Sequence, residues 1–260
     1  MMDFTKMTVT QINHYLDQAQ PAAHELTLLS TDSRIGVRLL VERHLNRQKA
    51  RQVEKERLQA LQNYEREARM LGYTYIAGVD EVGRGPLAGP VMAAAVILPE
   101  EFFLPGINDS KKVSPQKREK LYDTISQVAV AWAIGSAQVG EIDQYNILVA
   151  SKMAMKRAIL ALDVKPDYVL IDALTLADLL YPQRGIIGGD GLSASIAAAS
   201  IMAKVTRDRL MCELDDMIPG YGFAEHKGYP TREHRRAIAR LGPCPFHRRS
   251  FALLSEEDSA

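Results

Sequence analysis

The sequence predicts an α/β fold in which a mixed five-stranded sheet is flanked by helices and follows a helical N-terminal extension. The first observation is that residues 1–70 contain a single glycine, Gly36, and are rich in helix-forming residues from Val41 to Met70. The second is that short apolar runs, separated by turn residues, follow from Gly72 onward. We therefore divide the chain into an extension, residues 1–70, and a main domain, residues 71–260.

Five segments of the main domain are predicted as strands. The first three follow one another through turns, and the last two alternate with helices, which is typical of a mixed sheet. The predicted strands are residues 73–79, 90–98, 128–139, 167–171 and 185–187, and the longest predicted helices are residues 144–162 and 192–217.

Composition excludes several classes of protein. The 260 residues include 32 basic and 32 acidic side chains, so the net charge of zero does not itself predict a nucleic-acid partner. No apolar stretch is long enough to span a bilayer, and the N-terminus lacks a signal-peptide core. Cys212 and Cys244 match neither a metal-site spacing nor a disulfide framework, which favours a reducing, cytoplasmic location.

Acidic residues stand where predicted strands end. Asp80 and Glu81 close the segment YIAGVDE, Asp172 closes DYVLID, and Asp190 follows GIIGGD before the long helix. Ligand sites in open α/β sheets gather at the carboxyl ends of parallel strands. Because successive strand residues face opposite ways, Asp80 and Glu81 are expected to share a site only if Glu81 lies beyond the regular strand.

Carboxylates that converge on one point repel one another unless they share protons or bind a cation. Mg²⁺ and Mn²⁺ prefer such oxygen ligands, and a pair of these ions can clamp the attacking and leaving oxygens of a phosphodiester. The pattern therefore indicates metal-dependent phosphodiester chemistry. Taken singly, Asp172 and Asp190 fit a helix cap or a turn equally well or better.

Two further segments fit phosphate binding. Gly83, Arg84 and Gly85 follow the acidic pair directly, so the backbone can approach a ligand closely and the guanidinium can grip a phosphate. Lys111 and Lys112, in the turn NDSKK, offer a second phosphate contact. The glycine spacing matches neither nucleotide-binding fingerprint, and a plain turn is the competing interpretation.

Residues 226–249 carry seven Lys or Arg side chains against one acid, Glu233, together with Tyr229 and Phe246. Such a helical basic segment with aromatic residues suits a phosphate backbone and a stacked sugar or base, although a solvated helix end is a serious alternative. The histidines of this segment match no zinc-binding spacing; they are His226, His234 and His247.

In order, these motifs resemble the bacterial type 2 ribonuclease H family, ribonuclease HII, over roughly residues 72–252. The resemblance implies a ribonuclease H-like fold and a catalytic, metal-binding set of Asp80, Glu81, Asp172 and Asp190. The motifs are YIAGVDEVGRGPLAGPVMAAAVIL, NDSKK, DYVLIDAL, GGDGLSASIAAASIMAKVTRD, HKGYPTREH and HRRSF.

The resemblance also implies the reaction. An enzyme of this family, with Mn²⁺ or Mg²⁺, hydrolyses the RNA strand of RNA–DNA hybrids and cuts 5′ to ribonucleotides embedded in duplex DNA, leaving 3′-OH and 5′-phosphate ends. The Gly83–Gly85 loop is similar to one that contacts the backbone around a ribonucleotide 2′-OH, and Tyr229 matches a tyrosine that stacks on the sugar beyond the RNA–DNA junction. Such contacts separate RNA from DNA.

Three alternatives remain open from the sequence. A ribonuclease HIII-type enzyme has a β-rich extension and a fourth Glu, whereas this chain has a helical extension and Asp190. The others are a nucleic-acid-binding module without catalysis and an unrelated phosphatase using the same acids. The compact members of the family lack the extension, the tail Ser255–Ala260 shows no evident clamp-binding peptide, and we expect a monomer.

Overall fold

The computed structural model describes residues 3–19 and 21–254, and the tail in which a clamp-binding peptide was sought lies outside them. The chain divides into two compact units, Met1–Arg57 and Leu58–Ala260. The first unit contains α1 (Val9–Gln18), α2 (Ala23–Ser30) and most of α3 (Ile35–Leu61). Its own core is a cluster of buried apolar side chains: Phe4, Ile12, Leu16, Leu29, Val37 and Val41.

The second unit holds all the strands of the described chain. Its helices are α4 (Asn63–Met70), α5 (Pro115–Val128), α6 (Val139–Tyr145), α7 (Ile147–Leu160), α8 (Ala194–Met217), α9 (Phe223–His226) and α10 (Arg232–Leu241). Its strands are β1 (Ile76–Val82), β2 (Val91–Ile97), β3 (Ala131–Ala137), β4 (Tyr168–Asp172) and β5 (Gln183–Ile186).

The five strands form one mixed sheet in the order β3-β2-β1-β4-β5. The pairs β1–β2 and β2–β3 are antiparallel, whereas β1–β4 and β4–β5 are parallel. The predicted mixed sheet flanked by helices is therefore confirmed. Because β1, β4 and β5 run in the same direction, the residues that end them meet at one edge of the sheet.

A helical layer covers each face of this sheet. Alternate residues of the strands point to opposite faces, so Val79 and Ala93 pack with Met155 and Ile159 of α7, whereas Ala94 lies in the cluster formed with α8. These core positions are fully buried, which explains why β2 reads as one continuous apolar run.

Contact between β1 and α8 depends on Gly78. A Cβ at this position would overlap the backbone carbon of Ser195 and the nitrogen of Ile196, so only glycine allows the helix to lie this close. We expect Gly78→Ala to destabilise the second unit by more than about 3 kcal/mol, because backbone must move to admit the methyl group.

Gly140→Ala provides the matched control for this substitution. Gly140 lies in α6, and a Cβ there would meet no atom within 4 Å. Urea unfolding followed by fluorescence of Trp132, the one tryptophan of the chain, measures both variants in the second unit. Equal midpoints for the two variants would contradict the close approach at Gly78.

Two predicted helices are interrupted. The stretch of helix formers at residues 41–70 belongs to a helix that begins at Ile35 and breaks at Gln62, where the backbone leaves helical geometry (φ −96°, ψ 9°) before α4 begins. The helix expected at residues 144–162 is two helices, separated at Asn146 by a left-handed backbone turn (φ 72°). Composition marks helix-forming segments, but it does not show where one helix ends inside them.

The four-residue spacing of Glu65 and Arg69 in the sequence predicts an oppositely charged pair on a solvated helix face, but Glu65 does not form this pair. Its side chain is buried, and Oε1 accepts hydrogen bonds from Ser193 Oγ (2.6 Å), Ser195 N (2.9 Å) and Ser195 Oγ (2.6 Å). The prediction of a solvated helix face was therefore wrong at this position. The carboxylate instead satisfies donors at the N-terminus of α8.

Among the described residues, no helix is both long enough and apolar enough to cross a bilayer. Neither cysteine is in a disulfide; Cys244 is buried in the apolar cluster around α10, and Cys212 is partly exposed.

Candidate active site

Asp80 and Glu81 are consecutive residues of β1, and they point to opposite faces of the sheet. Glu81 pairs with Ala93 and thus lies inside the strand, so the expectation that it would lie beyond the strand was wrong. The two carboxylates nevertheless interact, because the charge of Glu81 helps to raise the pKa of Asp80. Asp80 lies on the α8 face, where its carboxyl is within hydrogen-bonding reach of the Ser200 hydroxyl.

Asp172 ends β4 beside this acidic pair. The register places Val79 opposite Ile171, so Asp80 and Asp172 are the next residues on two neighbouring parallel strands and lie at the same edge. Asp172 Oδ1 accepts a hydrogen bond from Gly189 N (2.7 Å), which fixes the turn that carries Asp190. The four acids singled out in the sequence are therefore brought to one edge of the sheet.

Mutual repulsion and burial raise the pKa values of three of these acids. Burial, followed by the charges of Glu81 and Asp172, raises the pKa of Asp80 well above its ordinary value. Burial also raises the pKa of Glu81, with Asp172 adding to the effect and Arg84 opposing it. The pKa of Asp190 is raised by burial and then by Asp109 and Asp172. The site therefore stores electrostatic strain that a cation would relieve.

The donor set fits a hard divalent cation. Glu81 Oε1 pairs with Arg84 Nη1 (3.2 Å), whereas Glu81 Oε2 is buried and has no hydrogen-bond partner. A buried carboxylate oxygen without a partner is costly unless an ion binds it. Within residues 3–19 and 21–254 no three acidic, His or Cys side chains already converge in a metal-binding arrangement, so binding requires the carboxylates to turn from their present hydrogen bonds.

The turn NDSKK lies against the acids and brings a fifth carboxylate to them. Asp109 is buried and within hydrogen-bonding reach of Asp190, and its Oδ1 also accepts from Lys111 N (2.9 Å). Ser110 Oγ lies 2.9 Å from Ser200 Oγ, the hydroxyl that reaches Asp80. In the sequence Asp109 is only part of a turn that fits phosphate binding, and its position two residues before Lys111 gives no sign that it would face Asp190.

Lys111 and Lys112 are exposed at the rim of this site. Lys111 lies close enough to Asp190 to lower the pKa of that carboxyl in part, and Lys112 Nζ is 3.6 Å from Asp109 Oδ2. Both ammonium groups are thus held near the acids by charge and remain open to solvent. This placement suits the phosphate contact predicted for them.

A buried arginine at each end holds the glycine loop. Arg248 is fully buried and donates to the carbonyl oxygens of Gly83 (2.6 Å), Arg84 (3.0 Å) and Gly89 (2.8 Å). Arg207, also fully buried, donates to the carbonyls of Ala88 (3.0 Å) and Pro90 (3.0 Å). Burial lowers the pKa of Arg207 to about 10 and that of Arg248 to about 9.

These contacts direct the loop's amides outward. A planar trans peptide holds its N–H opposite its C=O, so the N–H groups of Arg84 and Gly85 point away from the Arg248 guanidinium. In the part of the chain that the structure describes, neither amide has a hydrogen-bond partner, and both residues are exposed. The loop therefore presents two free backbone donors beside Glu81, which suits an anionic or hydroxyl ligand.

Tyr229 lies at the other side of this loop. A Cβ at Gly85 would be 3.7 Å from Cε1 of Tyr229, so the ring lies beside the glycine backbone, and 38% of the residue is exposed. The structure thus brings Tyr229 together with the loop, as expected of a surface on which a sugar or base stacks.

The basic segment is only partly a surface. Four of its cations are exposed, whereas Arg248 is buried and Lys227 is partly buried against Cys212. Arg235 is also partly buried and donates to the carbonyl oxygens of Ala252 and Leu253. The segment predicted to suit a phosphate backbone therefore offers only part of its charge to a ligand, because backbone carbonyls and a thiol contact these three cations. The exposed cations are Arg232, Arg236, Arg240 and Arg249.

The fold and the acids define the class of protein. The chain resembles ribonuclease H2 from Pyrococcus horikoshii OT3 with 26% identity and a TM-score of 0.56, over 71% of this chain and 97% of that one. It also has the fold of the Bst ribonuclease HIII solved in complex with Mn²⁺, with 18% identity, a TM-score of 0.56, and coverage of 72% and 70%. The class is that of ribonuclease H-fold nucleases.

Sequence comparison identifies the family within this class. The family model described as ribonuclease HII matches residues 77–254, and that of the ribonuclease HII N-terminal domain matches residues 8–69. Ribonuclease HII of Desulfitobacterium hafniense strain Y51 is 51% identical over 257 residues, 99% of this chain and 98% of the relative. That of Moorella thermoacetica is 59% identical over 198 residues, 76% of this chain and 96% of the relative.

The chain therefore belongs to the ribonuclease HII family. It is a hydrolase, an endonuclease of the ribonuclease H type, and its family acts on RNA–DNA hybrids and depends on divalent metal ions. The family, the fold and the class of enzyme predicted from the sequence are all confirmed.

Proposed function

We propose that this enzyme hydrolyses the RNA strand of RNA–DNA hybrids and cuts 5′ to ribonucleotides embedded in duplex DNA, leaving 3′-OH and 5′-phosphate ends. The observation that carries the proposal is the set of four carboxylates at one edge of the sheet, with a buried, unpartnered Glu81 Oε2, directly beside free backbone donors at Arg84 and Gly85.

Asp80, Glu81, Asp172 and Asp190 are the proposed catalytic residues, and they would hold two Mn²⁺ or Mg²⁺ ions. When bound, the ions supply an activated water and stabilise the developing charge on the leaving oxygen. The Glu81 amide donates to Asp80 Oδ1 (2.7 Å) and the Gly189 amide donates to Asp172 Oδ1, so both carboxylates begin from defined positions. Asp109 supports Asp190 from the neighbouring turn.

Substrate binding is proposed for the loop, the lysines and the tyrosine. The amides of Arg84 and Gly85 face a ribonucleotide, where a 2′-OH can accept from one of them and a phosphate oxygen from the other. Arg84, Lys111 and Lys112 neutralise phosphates on the two sides of the carboxylates. Gly83 allows the close approach, because a Cβ there would overlap the guanidinium of Arg207.

Tyr229 would stack on the sugar that follows the ribonucleotide. Its place beside Gly85 supports this role, because the ring lies close to the amides that are proposed to sense the 2′-OH. A ring in that position would contact the sugar that follows the ribonucleotide. It would therefore favour, as substrate, a single ribonucleotide followed by a deoxyribonucleotide.

For the remaining organisation of the protein, we propose residues 1–70 as an appended N-terminal domain, a monomeric state, and a cytoplasmic location. The domain proposal is supported by the separate core of the first unit and by the family match to residues 8–69. The solved neighbour from Archaeoglobus fulgidus is a complex of ribonuclease HII with PCNA; we assign this chain no clamp partner.

Three end-labelled duplexes test the proposed function: DNA with one embedded ribonucleotide, an RNA–DNA hybrid, and DNA alone. With Mn²⁺ or Mg²⁺ we expect a single cut 5′ to the ribonucleotide, several cuts in the hybrid, and none in DNA, all abolished by EDTA. Cutting of the hybrid without the single ribonucleotide would favour ribonuclease HIII-type selectivity. If the protein binds every duplex but cleaves none, it is a nucleic-acid-binding module without catalysis, and the proposal is overturned.

A further inference from the structure

Three histidines pack together behind Tyr229. The rings of His226 and His234 stack with centroids 4.3 Å apart, and those of His234 and His247 lie 5.2 Å apart. His234 and His247 are essentially fully buried. The spacing of these residues in the sequence matches no zinc site, and they take no part in the proposed catalytic step.

Hydrogen bonds from the backbone fix the tautomer of each ring. His234 Nδ1 lies 2.9 Å from the carbonyl oxygen of Tyr229, which only accepts, so Nδ1 carries the proton and Nε2 is an acceptor. His234 Nε2 is 3.1 Å from His247 Nε2, so His247 must donate from that nitrogen. His247 Nδ1 is then left as an acceptor, and it receives the Cys244 N–H at 2.9 Å.

Backbone hydrogen bonds also fix the tautomer of the third ring, that of His226, without the other two histidines. His226 Nε2 is 2.8 Å from the carbonyl oxygen of Tyr221 and therefore donates, while His226 Nδ1 accepts from Gly228 N at 3.1 Å. Every ring nitrogen of the cluster thus has a protein partner of the right kind. No lone pair remains for a metal ion, which excludes the metal-ligand interpretation of these histidines.

The surroundings keep the cluster neutral. Burial lowers the pKa of His234 to about 4 and also lowers that of His247, and the neighbouring histidines add to the effect. Burial raises the pKa of the Cys244 thiol, which lies 3.1 Å from His247 Nδ1 and therefore remains a donor. A second proton on His234 would sit on Nε2, opposite the N–H of His247 Nε2, and the hydrogen bond between the two rings would be lost.

We propose that the chain Cys244–His247–His234 is a positioning device for Tyr229, in which His234 holds the tyrosine's carbonyl and so sets the ring beside the Gly83–Gly85 loop. This inference rests on the proposed role of Tyr229 in substrate binding. The backbone of the same turn is tied to the loop, because Gly228 O accepts from Leu87 N (2.7 Å). Displacing Tyr229 therefore changes the spacing between the ring and the free amides.

Nitrogen NMR of the wild-type protein near pH 7 tests the chain directly, because a protonated and an unprotonated ring nitrogen have different shifts. We expect neutral rings with the proton on Nδ1 of His234 and on Nε2 of His226 and His247. A charged His234, or a His234 protonated on Nε2, would overturn the proposal whether or not the enzyme cleaves its substrate.

Two matched substitutions of His234 test the function of the chain. In His234→Asn the amide takes the place of Nδ1 and keeps the donor to Tyr229, whereas in His234→Gln it takes the place of Nε2 and loses that donor. On duplex DNA with one ribonucleotide we expect kcat/KM to fall about tenfold in His234→Gln, chiefly through KM, and less than about threefold in His234→Asn.

Repeating both substitutions in a Tyr229→Ala background shows whether His234 acts on cleavage through Tyr229 or only by stabilising the structure around it. There we expect His234→Gln to lower kcat/KM by less than about twofold, because the residue through which it acts is gone. An undiminished effect in that background, or equal effects of the two His234 substitutions, would contradict positioning. If the wild-type protein shows the expected tautomers but cleaves no substrate, the proposed function is wrong, whereas the hydrogen-bond chain of Cys244, His247 and His234 is still supported.

Discussion

Asp80→Asn is expected to abolish cleavage and, at the same time, to stabilise the protein. Loss of a carboxylate from a cation-binding set that activates water should lower the cleavage rate on the order of 10³-fold. The folded-state pKa of Asp80 is raised above that of the unfolded chain, so stability is greatest where the group is protonated and is lost as pH rises through the folded pKa. The side-chain amide of the Asp80→Asn variant does not ionise, so the variant does not lose this stability at neutral pH.

Thermal melting in metal-free buffer measures the second effect. We expect a rise of about 2–4 °C for Asp80→Asn, the shift that roughly 1 kcal/mol produces in a unit of this size. Mn²⁺ should raise the melting temperature of the wild type more than that of the variant, since the cation relieves the same repulsion. Asp178→Asn, at an exposed acid, is the control; a destabilised Asp80→Asn would contradict the electrostatic account.

Arg248→Lys is expected to weaken both the fold and substrate binding, although it conserves charge. The guanidinium reaches three carbonyl oxygens of the loop with a planar fork, whereas an ammonium group is a single point. Leaving buried carbonyls without donors should cost about 2–4 kcal/mol. The freed peptides can then rotate, so we expect KM to rise at least about tenfold as the amides of Arg84 and Gly85 lose their orientation.

Arg249→Lys is the matched control, because the adjacent side chain is exposed. Urea unfolding monitored at Trp132 reports stability in the second unit, and steady-state cleavage reports KM. If Arg248→Lys unfolds at the wild-type midpoint with an unchanged KM, the buried arginine does not organise the loop.

How far the sequence predicts the site depends on whether a residue's role is local. Asp80 and Asp172 lie near the carboxyl ends of β1 and β4 and Asp190 follows β5, and the rule that parallel strands end at one edge was enough to bring them together. Glu81 lies inside β1, on the face opposite Asp80, and yet the charge of Asp172 raises the pKa of both acids. Alternation along a strand does not reveal such an arrangement.

The residues missed in the sequence all act across the chain. Arg207 and Arg248 read as ordinary basic residues, yet each is buried against carbonyls more than 100 positions away. Glu65 has the spacing of a surface pair, but its partners are Ser193 and Ser195. A sequence shows the charge of such side chains, whereas the partners that neutralise them are known only once the sheet and α8 are assembled.

The most direct test of the four-carboxylate site is single-turnover cleavage of duplex DNA containing one ribonucleotide by the wild type and four single variants. These are Asp80→Asn, Glu81→Gln, Asp172→Asn and Asp190→Asn, measured with Mn²⁺ beside Asp178→Asn. We expect the wild type and Asp178→Asn to cut 5′ to the ribonucleotide at similar rates, and each of the four variants to lose at least about 100-fold in cleavage rate while still binding the duplex. Wild-type cleavage by any one of the four would contradict it.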